Sequence, residues 1–284
     1  MATPSVEAAD LFGVKGLVAV ITGGGSGIGL MMAQALETNG AIVYIVGRRK
    51  EAVEKAATTA KHGNIRPLQG DVTSKADLER IVTEIKTAVG YVNVVIANSG
   101  TLGPTVHAMP PDPSISDFRN FLLSWDTDTF TNTYAVNDTG VFNTVAAFLE
   151  LLDEGNKRGN LKQKSQVIAT ASVGAFNRNP VAGYAYASSK AGVIHMMKQF
   201  ATGLVPYSIR SNIIAPGFYP SEMTATFADK DRVWPKTVIP EQRWGDSEDV
   251  AGAILFLVSR AGAYINGNVL VTDGGRLGVI PSAY

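Results

Sequence analysis

The 284 residues include 25 lysines and arginines and 25 aspartates and glutamates, so the formal net charge is zero. This balance gives no indication of a basic face for nucleic acid or an anionic membrane. The absence of cysteine excludes disulfides, thiolate catalysis and cysteine-type zinc sites. No apolar run is long enough to span a bilayer, and the N-terminus lacks a signal-peptide pattern. We therefore expect a cytoplasmic protein with neither nucleic acid nor a membrane as partner.

Apolar runs rich in β-branched residues alternate with helical patterns after a polar lead-in over residues 1–13. The runs are continuous, as in strands buried on both faces of a parallel sheet. We predict strands at 17–21, 42–46, 65–69, 92–97, 166–170, 209–214 and 268–271. Helices are predicted at 27–39, 50–62, 75–89, 127–152, 184–204 and 247–259. This alternation predicts an α/β fold of Rossmann type, doubly wound, with a seven-stranded parallel sheet and helices on both faces. We expect one domain over residues 1–284.

Two long segments interrupt this alternation. Residues 101–124 contain four prolines and no clear strand, although 118–123 fits a short helical turn. Residues 217–245 contain three prolines and two tryptophans. Loops of this length in a compact domain are usually functional or disordered. Both follow predicted strands, on the side where open α/β sheets bind ligands.

A glycine-rich stretch lies between the first predicted strand and the first long helix. It reads Thr-Gly-Gly-Gly-Ser-Gly-Ile-Gly over residues 22–29. Glycines there permit a tight turn and a close approach of the backbone, and the helix N-terminus can receive a phosphate. We therefore predict a dinucleotide-binding loop, with Gly23, Ser26, Gly27, Ile28 and Gly29 as contacts.

The end of the second predicted strand is where the ribose of a dinucleotide is recognised. A carboxylate about 20 residues after the glycines would bind the 2′-hydroxyl of NAD. Here the chain reads Gly47-Arg48-Arg49-Lys50 and offers no acid. Arginine presents planar donors that suit a 2′-phosphate. The sequence therefore favours NADP(H), although two arginines at a helix start can also be ordinary solvated side chains.

Tyr186 and Lys190 lie four residues apart on a predicted helix and therefore share a face. An unperturbed tyrosine has a pKa of about 10, and a nearby ammonium would lower that pKa. The pair is a candidate acid/base, although its spacing alone also fits two surface residues.

Taken together, these motifs resemble the short-chain dehydrogenase/reductase family, in the family's order and over about residues 14–276. The further motifs are Asp71-Val72, Asn98-Ser99-Gly100, Asn137, Ser172 and Pro216-Gly217. The resemblance implies that Tyr186 is the general acid in carbonyl reduction and the base in alcohol oxidation. It also implies a substrate-oxygen role for Ser172, a water-mediated proton relay through Asn137, and a Lys190 that binds the nicotinamide ribose and lowers the pKa of Tyr186.

The same resemblance implies the remaining cofactor contacts. Asp71 and Val72 would contact adenine, and Asn98 and Gly100 would flank the adenine ribose. On the nicotinamide side the contacts would be Pro216, Gly217 and Phe218. The family's threonine after Pro-Gly is not at its common place, and we expect Ser221 to replace it. The interval from Asn98 to Asn137 is also longer than the family pattern, which leaves the substrate open.

The function expected is an NADPH-dependent ketoreductase or alcohol dehydrogenase acting on a moderately bulky, partly apolar small molecule, with a fungal secondary-metabolism role suggested by residues 216–224. A cofactor-binding isomerase, cyclase or dehydratase on the same fold is an alternative. A non-catalytic NADP(H)-binding regulatory protein is another, although every catalytic residue type is present. We expect no catalytic metal, and a homodimer or homotetramer, since members of the family are mostly dimers or tetramers.

Overall fold

The structure, a computed structural model, describes residues 5–225 and 233–284. Its centre is a sheet of seven parallel strands in the order β3-β2-β1-β4-β5-β6-β7. The strands are β1 Val18–Thr22, β2 Ile42–Gly47, β3 Ile65–Gln69, β4 Val94–Ala97, β5 Gln166–Thr170, β6 Arg210–Pro216 and β7 Val269–Thr272. The predicted fold class is confirmed. Residues 1–4 of the predicted lead-in and 226–232 of the second long segment lie outside the described residues.

Helices cover both faces of this sheet. They are α1 Ala8–Leu11, α2 Gly27–Thr38, α3 Lys50–Ala57, α4 Lys75–Ala88, α5 Ile115–Leu123, α6 Thr127–Tyr134, α7 Gly140–Ala147, α8 Leu149–Arg158, α9 Tyr184–Gly203 and α10 Ser247–Val258. One apolar core lies between the sheet and α4, α7, α8 and α9, and the other lies between the sheet and α2, α3 and α10. Within the described ranges, no helix is both long and apolar enough to cross a membrane.

Helix α3 ends at Ala57, five residues before the predicted end at 62. The hydroxyls of Thr58 and Thr59 donate to backbone carbonyls three residues earlier, which competes with a further helical turn. The carboxylate of Glu37, buried at the end of α2, then accepts hydrogen bonds from three backbone N–H groups, those of Lys61, His62 and Asn64. These contacts turn the chain out of the helix and into β3.

The single helix predicted over 127–152 is wrong, because the structure divides it. A π-helical turn, Ala135–Thr139, joins α6 to α7. Phe148 leaves helical geometry with φ −96° and ψ 1°, so that α8 begins there as a separate helix. Helix α8 then ends at Gly159, whose φ of 62° suits the left-handed conformation that often ends a helix. The π-helical turn is of functional interest, because such turns frequently occur at functional sites.

The first long segment packs against the start of α9. It contains α5, which begins at Ile115, earlier than the predicted turn at 118, because Ser114 and Asp117 form a reciprocal capping box. At its other end, the Pro104 carbonyl oxygen lies against Gly183, where a Cβ atom would approach it to 2.0 Å. Gly183 also has a φ of 85°, which glycine adopts readily. The segment therefore reaches the helix that carries Tyr186 and Lys190.

Candidate active site

The carboxyl ends of the strands surround one large cavity of about 710 Å³. Its wall contains nearly all of the residues that the sequence singled out: Gly23, Ser26, Gly27, Ile28, Gly29, Arg48, Arg49, Asp71, Val72, Asn98, Gly100, Ser172, Tyr186, Lys190, Pro216, Gly217 and Ser221. A crevice at this edge of an open parallel sheet is the usual place for a ligand in such folds. Asn137 and Phe218, which are not in that wall, are described below.

The glycine loop fits tightly between β1 and β4. A Cβ atom on Gly29 would come within 2.3 Å of the Gly23 carbonyl oxygen and 2.5 Å of Asn98 Nδ2. Gly23 and Gly27 have positive φ angles of 66° and 52°, which a turn into α2 requires here. The first N–H groups of α2 have no intrahelical acceptor and lie at the cavity wall. The loop therefore fits the phosphates of a dinucleotide.

Asn98 holds this loop in place. Its side-chain amide donates to the carbonyls of Thr22 and Gly23 at 3.1 and 3.2 Å, and its backbone N–H donates to Thr22 Oγ1 at 3.0 Å. These bonds join the end of β1 to the end of β4. The side-chain amide of Asn98 thus bonds the protein backbone. Asn98 also borders the cavity, and its predicted place beside the adenine ribose stays a prediction.

Arg48, Arg49, Asp71 and Val72 lie at the end of the cavity formed by β2 and β3. Arg49 is already engaged, because its Nη2 donates to both carboxylate oxygens of Glu222 at 2.8 Å. Glu222 belongs to the turn that follows β6, and sequence reasoning missed it. No local pattern could have revealed the pair, since 173 residues separate its members.

Gly100 lies against both Asn137 and Lys190, and its lack of a side chain leaves room for them. A Cβ atom on Gly100 would lie 3.3 Å from Asn137 Oδ1 and 3.5 Å from Lys190 Nζ. Asn137 is fully buried in the π-helical turn, where its amide bonds both backbone groups of Thr101 and the hydroxyl of Ser189. The predicted relay residue is therefore fixed beside Lys190, just behind the cavity wall. Its Oδ1 and Nδ2 both have protein partners.

Ser172 and Tyr186 meet at the other end of the cavity. Ser172 follows β5 and caps a short 3₁₀ turn, Val173–Ala175, where its Oγ accepts from the Gly174 N–H at 3.0 Å. Its hydroxyl also hydrogen-bonds that of Tyr186, which acts to lower the pKa of Tyr186. Both hydroxyls border the same cavity, so a carbonyl oxygen placed there can bond both.

Lys190 lies deeper than the sequence indicated. Its Nζ donates to the Thr170 carbonyl at 2.7 Å and lies 5.9 Å from the centre of the Tyr186 ring. Burial lowers the pKa of Lys190 to about 8, and the half-buried carboxylate of Asp138 acts in the opposite direction. Burial also raises the pKa of the Tyr186 hydroxyl, opposite to the lowering that the sequence predicted. The physical reason is that enclosure penalises the phenolate more than the hydrogen bond from Ser172 favours it.

The chain after β6 covers part of the cavity. Pro216, Gly217 and Ser221, the predicted contacts on the nicotinamide side, line it, and Glu222, Met223 and Thr224 do so as well. The Phe218 ring lies outside this wall, since it stacks on Trp234 at 5.5 Å and receives the Arg276 guanidinium over its face at 4.8 Å. In the described structure, the side chain of Phe218 is thus engaged in packing next to a second, smaller cavity.

The C-terminal tail contacts the chain between Ser172 and Tyr186. The backbone N–H of Arg178 donates to Pro281, and that of Ala283 donates to Phe176. The Phe176 ring meets the Tyr284 ring edge-on at 5.1 Å. These contacts tie the end of the chain to the segment that links Ser172 to Tyr186. No group of three metal-ligating side chains occurs in residues 5–225 or 233–284.

Comparisons with known proteins identify the family of this chain. Residues 23–276 match a family model described as enoyl-(acyl carrier protein) reductase. A short-chain dehydrogenase/reductase of Diaporthe leptostromiformis, PhomF, is 54% identical over 99% of this chain and 98% of its own length. Another, VdtF of Byssochlamys spectabilis, is 43% identical over 99% of both chains.

Solved structures give the same picture of the fold. The Pseudomonas aeruginosa RhlG/NADP active-site complex superimposes with a TM-score of 0.81 at 30% identity, covering 94% of this chain and 98% of that one. A Brucella melitensis 3-ketoacyl-(acyl-carrier-protein) reductase complexed with NADH gives 0.77 at 27% identity, covering 93% and 99%. One similar protein thus holds NADP and another holds NADH, so the choice of cofactor here depends on this chain's own residues.

Proposed function

Since this chain belongs to the short-chain dehydrogenase/reductase family, we propose that it is an NADPH-dependent ketoreductase or alcohol dehydrogenase. The observation that carries the proposal is the meeting of the Ser172 and Tyr186 hydroxyls at one end of the cavity that begins at the glycine loop. A dinucleotide seated on that loop would extend toward the two hydroxyls. They would then bond a substrate oxygen beside the reactive end of the cofactor.

Few protein groups are needed for the reaction. The bound cofactor supplies the hydride. Tyr186 donates a proton to the carbonyl oxygen during reduction, and its raised pKa keeps it protonated at neutral pH. Ser172 orients the oxygen with a second hydrogen bond. Lys190, next to Asn137 and behind Tyr186, provides a positive charge that would hold the cofactor's ribose and would stabilise the phenolate that Tyr186 becomes when it gives up its proton.

The preference for NADP(H) is supported by the arginines after β2. Arg48 and Arg49 border the cavity at the end opposite Tyr186, and residues 47–50 include no carboxylate that would repel a 2′-phosphate. The other residues proposed to hold the cofactor are those of the glycine loop with Asp71, Val72, Asn98, Gly100, Pro216, Gly217 and Ser221. For Phe218 we propose a backbone contact, because its ring packs elsewhere.

The proposed substrate is a moderately bulky, partly apolar carbonyl compound. The substrate side of the cavity is bordered by Tyr219 and Met223, and Phe176, which follows Ser172 by four residues, packs edge-on against the Tyr284 ring. The similar fungal proteins support a role in secondary metabolism. We also propose a cytoplasmic enzyme with one cofactor-binding domain over residues 1–284, assembled as a homodimer or homotetramer.

A titration and a substrate screen test this proposal. NADPH fluorescence should change on addition of the protein, with a lower dissociation constant than for NADH. NADPH should then be oxidised with at least one ketone from an aromatic and cyclic panel. Tight NADPH binding with turnover of a substrate but no net oxidation would favour the isomerase, cyclase or dehydratase alternative. Binding without any turnover would favour the regulatory alternative.

A further inference from the structure

The ion pair between Arg49 and Glu222 joins two sides of the cofactor cavity. Arg49 follows β2, and Glu222 follows β6 on the opposite side of the switch in strand order. Both oxygens of the Glu222 carboxylate lie 2.8 Å from Arg49 Nη2, and both residues border the cavity. A carboxylate in this position occupies the donors that the proposed function assigns to the 2′-phosphate of NADP(H).

A compact turn presents Glu222 to the arginine. The Thr224 hydroxyl accepts from the Ser221 N–H at 2.9 Å and donates to the Tyr219 carbonyl at 2.7 Å. Ser221 rests on the glycine loop, where a Cβ atom on Gly27 would come within 3.0 Å of Ser221 Cβ. The turn therefore has a fixed position above the start of α2.

The pair is open to solvent, with 62% of the Arg49 side chain and 65% of the Glu222 side chain exposed. An exposed ion pair contributes little to stability, so another anion can replace the carboxylate at small cost. A 2′-phosphate carries more charge and more acceptor oxygens than a carboxylate. The ribose of NAD(H) has no 2′-phosphate, so it has no anion that could replace the Glu222 carboxylate.

We propose that Glu222 is a cofactor-specificity residue that competes with the 2′-phosphate of NADP(H) for Arg49. Binding of NADPH exchanges the carboxylate for the phosphate, whereas NADH leaves the ion pair intact. Glu222 thus weakens the binding of NADPH but not that of NADH. It thereby reduces the preference for NADP(H) over NAD(H) that Arg48 and Arg49 create. The inference rests on the proposed function, because it requires Arg49 to face the phosphorylated ribose.

The experiment measures dissociation constants of NADPH, NADH, adenosine 2′,5′-bisphosphate and 5′-AMP for the full-length protein and its variants. Glu222→Gln removes the charge and keeps the shape of the side chain. It should tighten NADPH and the 2′,5′-bisphosphate about three- to tenfold at low salt, and the gain should shrink as salt is added. NADH and 5′-AMP should bind as they do to the wild type. The fragments carry no nicotinamide, so they separate the phosphate effect from any effect on catalysis.

Two further variants make the test specific. In Arg49→Gln, adding Glu222→Gln should change nothing, because the shared partner is gone. Glu150→Gln serves as the matched control, since Glu150 is also an exposed partner in an ion pair, with Lys86 at 3.9 Å, and does not border the cavity. It should leave all four constants unchanged.

The inference is overturned if Glu222→Gln tightens all four ligands equally, since the turn would then only obstruct entry. It is also overturned if that variant leaves the 2′,5′-bisphosphate unchanged or weakens it, or if its gain persists without Arg49. Tighter binding of NADH than NADPH to the wild type would instead contradict the proposed cofactor preference. The Glu222 inference is tested separately by the ratio of the dissociation constants of adenosine 2′,5′-bisphosphate and 5′-AMP, compared between Glu222→Gln and the wild type.

Discussion

The ammonium of Lys190 lies 5.9 Å from the centre of the Tyr186 ring, and its hydrogen bond goes to the Thr170 carbonyl. Burial lowers the pKa of Lys190 and raises that of Tyr186, so both groups are driven toward their neutral forms. At neutral pH Tyr186 is therefore a protonated phenol inside the cavity. This state suits a group that donates a proton to a carbonyl oxygen.

Tyr186→Phe removes the proposed proton donor and keeps the aromatic ring. Turnover of any ketone found in the screen should fall about 10²- to 10⁴-fold, the usual contribution of a positioned acid. NADPH binding should persist, since the rest of the cavity wall is unchanged. Tyr184→Phe is the matched control, because Tyr184 is on the same helix, is 43% exposed and packs on Trp125. Wild-type turnover by Tyr186→Phe would show that the mechanism is wrong.

Lys190→Met should stabilise the fold while abolishing the proposed activity. The pKa of Lys190 is lowered from 10.5 to about 8, so the folded protein binds this proton more weakly than the unfolded chain does. A charged Lys190 therefore opposes folding below pH 8, and this opposition disappears as pH rises from 8 to 10.5. The variant should gain about 1–3 kcal/mol at pH 7, less than the shift alone implies because the Thr170 carbonyl loses its donor.

Urea denaturation of the two proteins at several pH values measures this difference. The advantage of Lys190→Met should decrease steadily between the two pKa values, since the neutral lysine of the wild type no longer resists burial. A constant advantage across that window, or a variant less stable than the wild type at pH 7, would contradict the explanation.

The sheet and most of the candidate site were predictable because their signals are local. A strand such as β1 is buried along its whole length, which makes it a continuous apolar run in the sequence. The glycine loop follows it directly, and Tyr186 and Lys190 share one helix. Parallel strand ends all meet at one edge, so residues that follow different strands were expected to share one crevice.

Other features depend on distant partners and had no local signal. The early end of α3 depends on Glu37, which captures backbone groups from another element. The ion pair of Arg49 with Glu222 joins two loops that the sequence separates widely. The raised pKa of Tyr186 reflects the enclosure of its ring, which spacing along a helix cannot reveal. A local residue pattern predicts contacts within one motif, whereas contacts between distant segments and the solvation of a side chain depend on the whole fold.

Gly183→Ala should impair substrate binding more than cofactor binding. An alanine Cβ would lie 2.0 Å from the Pro104 carbonyl oxygen, and the φ of 85° disfavours any side chain, so residues 101–124 must shift. We expect a loss of about 2 kcal/mol in unfolding free energy and a raised KM for the ketone. Gly203→Ala, at the other end of α9, is the control, because the place its Cβ would take has no heavy atom within 4 Å apart from its chain neighbours and the adjacent helix backbone.

Kinetics at saturating NADPH, thermal unfolding and NADPH titration together check this prediction. Gly203→Ala should be neutral or slightly stabilising, since alanine has the higher helix propensity. An equal loss of ketone and NADPH binding in Gly183→Ala would mean that the damage spreads through the fold. That outcome would contradict a specific role of residues 101–124 in substrate binding.

Removal of residues 281–284 should loosen the chain that links Ser172 to Tyr186. The deletion breaks the backbone bonds from Arg178 and Ala283 and the ring contact of Phe176 with Tyr284. Each neutral hydrogen bond contributes about 1 kcal/mol to holding this segment in place. The less ordered segment should position a bulky ketone less well, and we expect kcat/KM for it to fall about tenfold. Tyr284→Phe keeps the ring and should behave like the wild type. The dissociation constant of NADPH should hardly change, because none of the contacts described for the tail involves the glycine loop, Arg48 or Arg49. Equal weakening of NADPH binding, or full activity after the deletion, would show that the tail does not support the substrate side of the cavity.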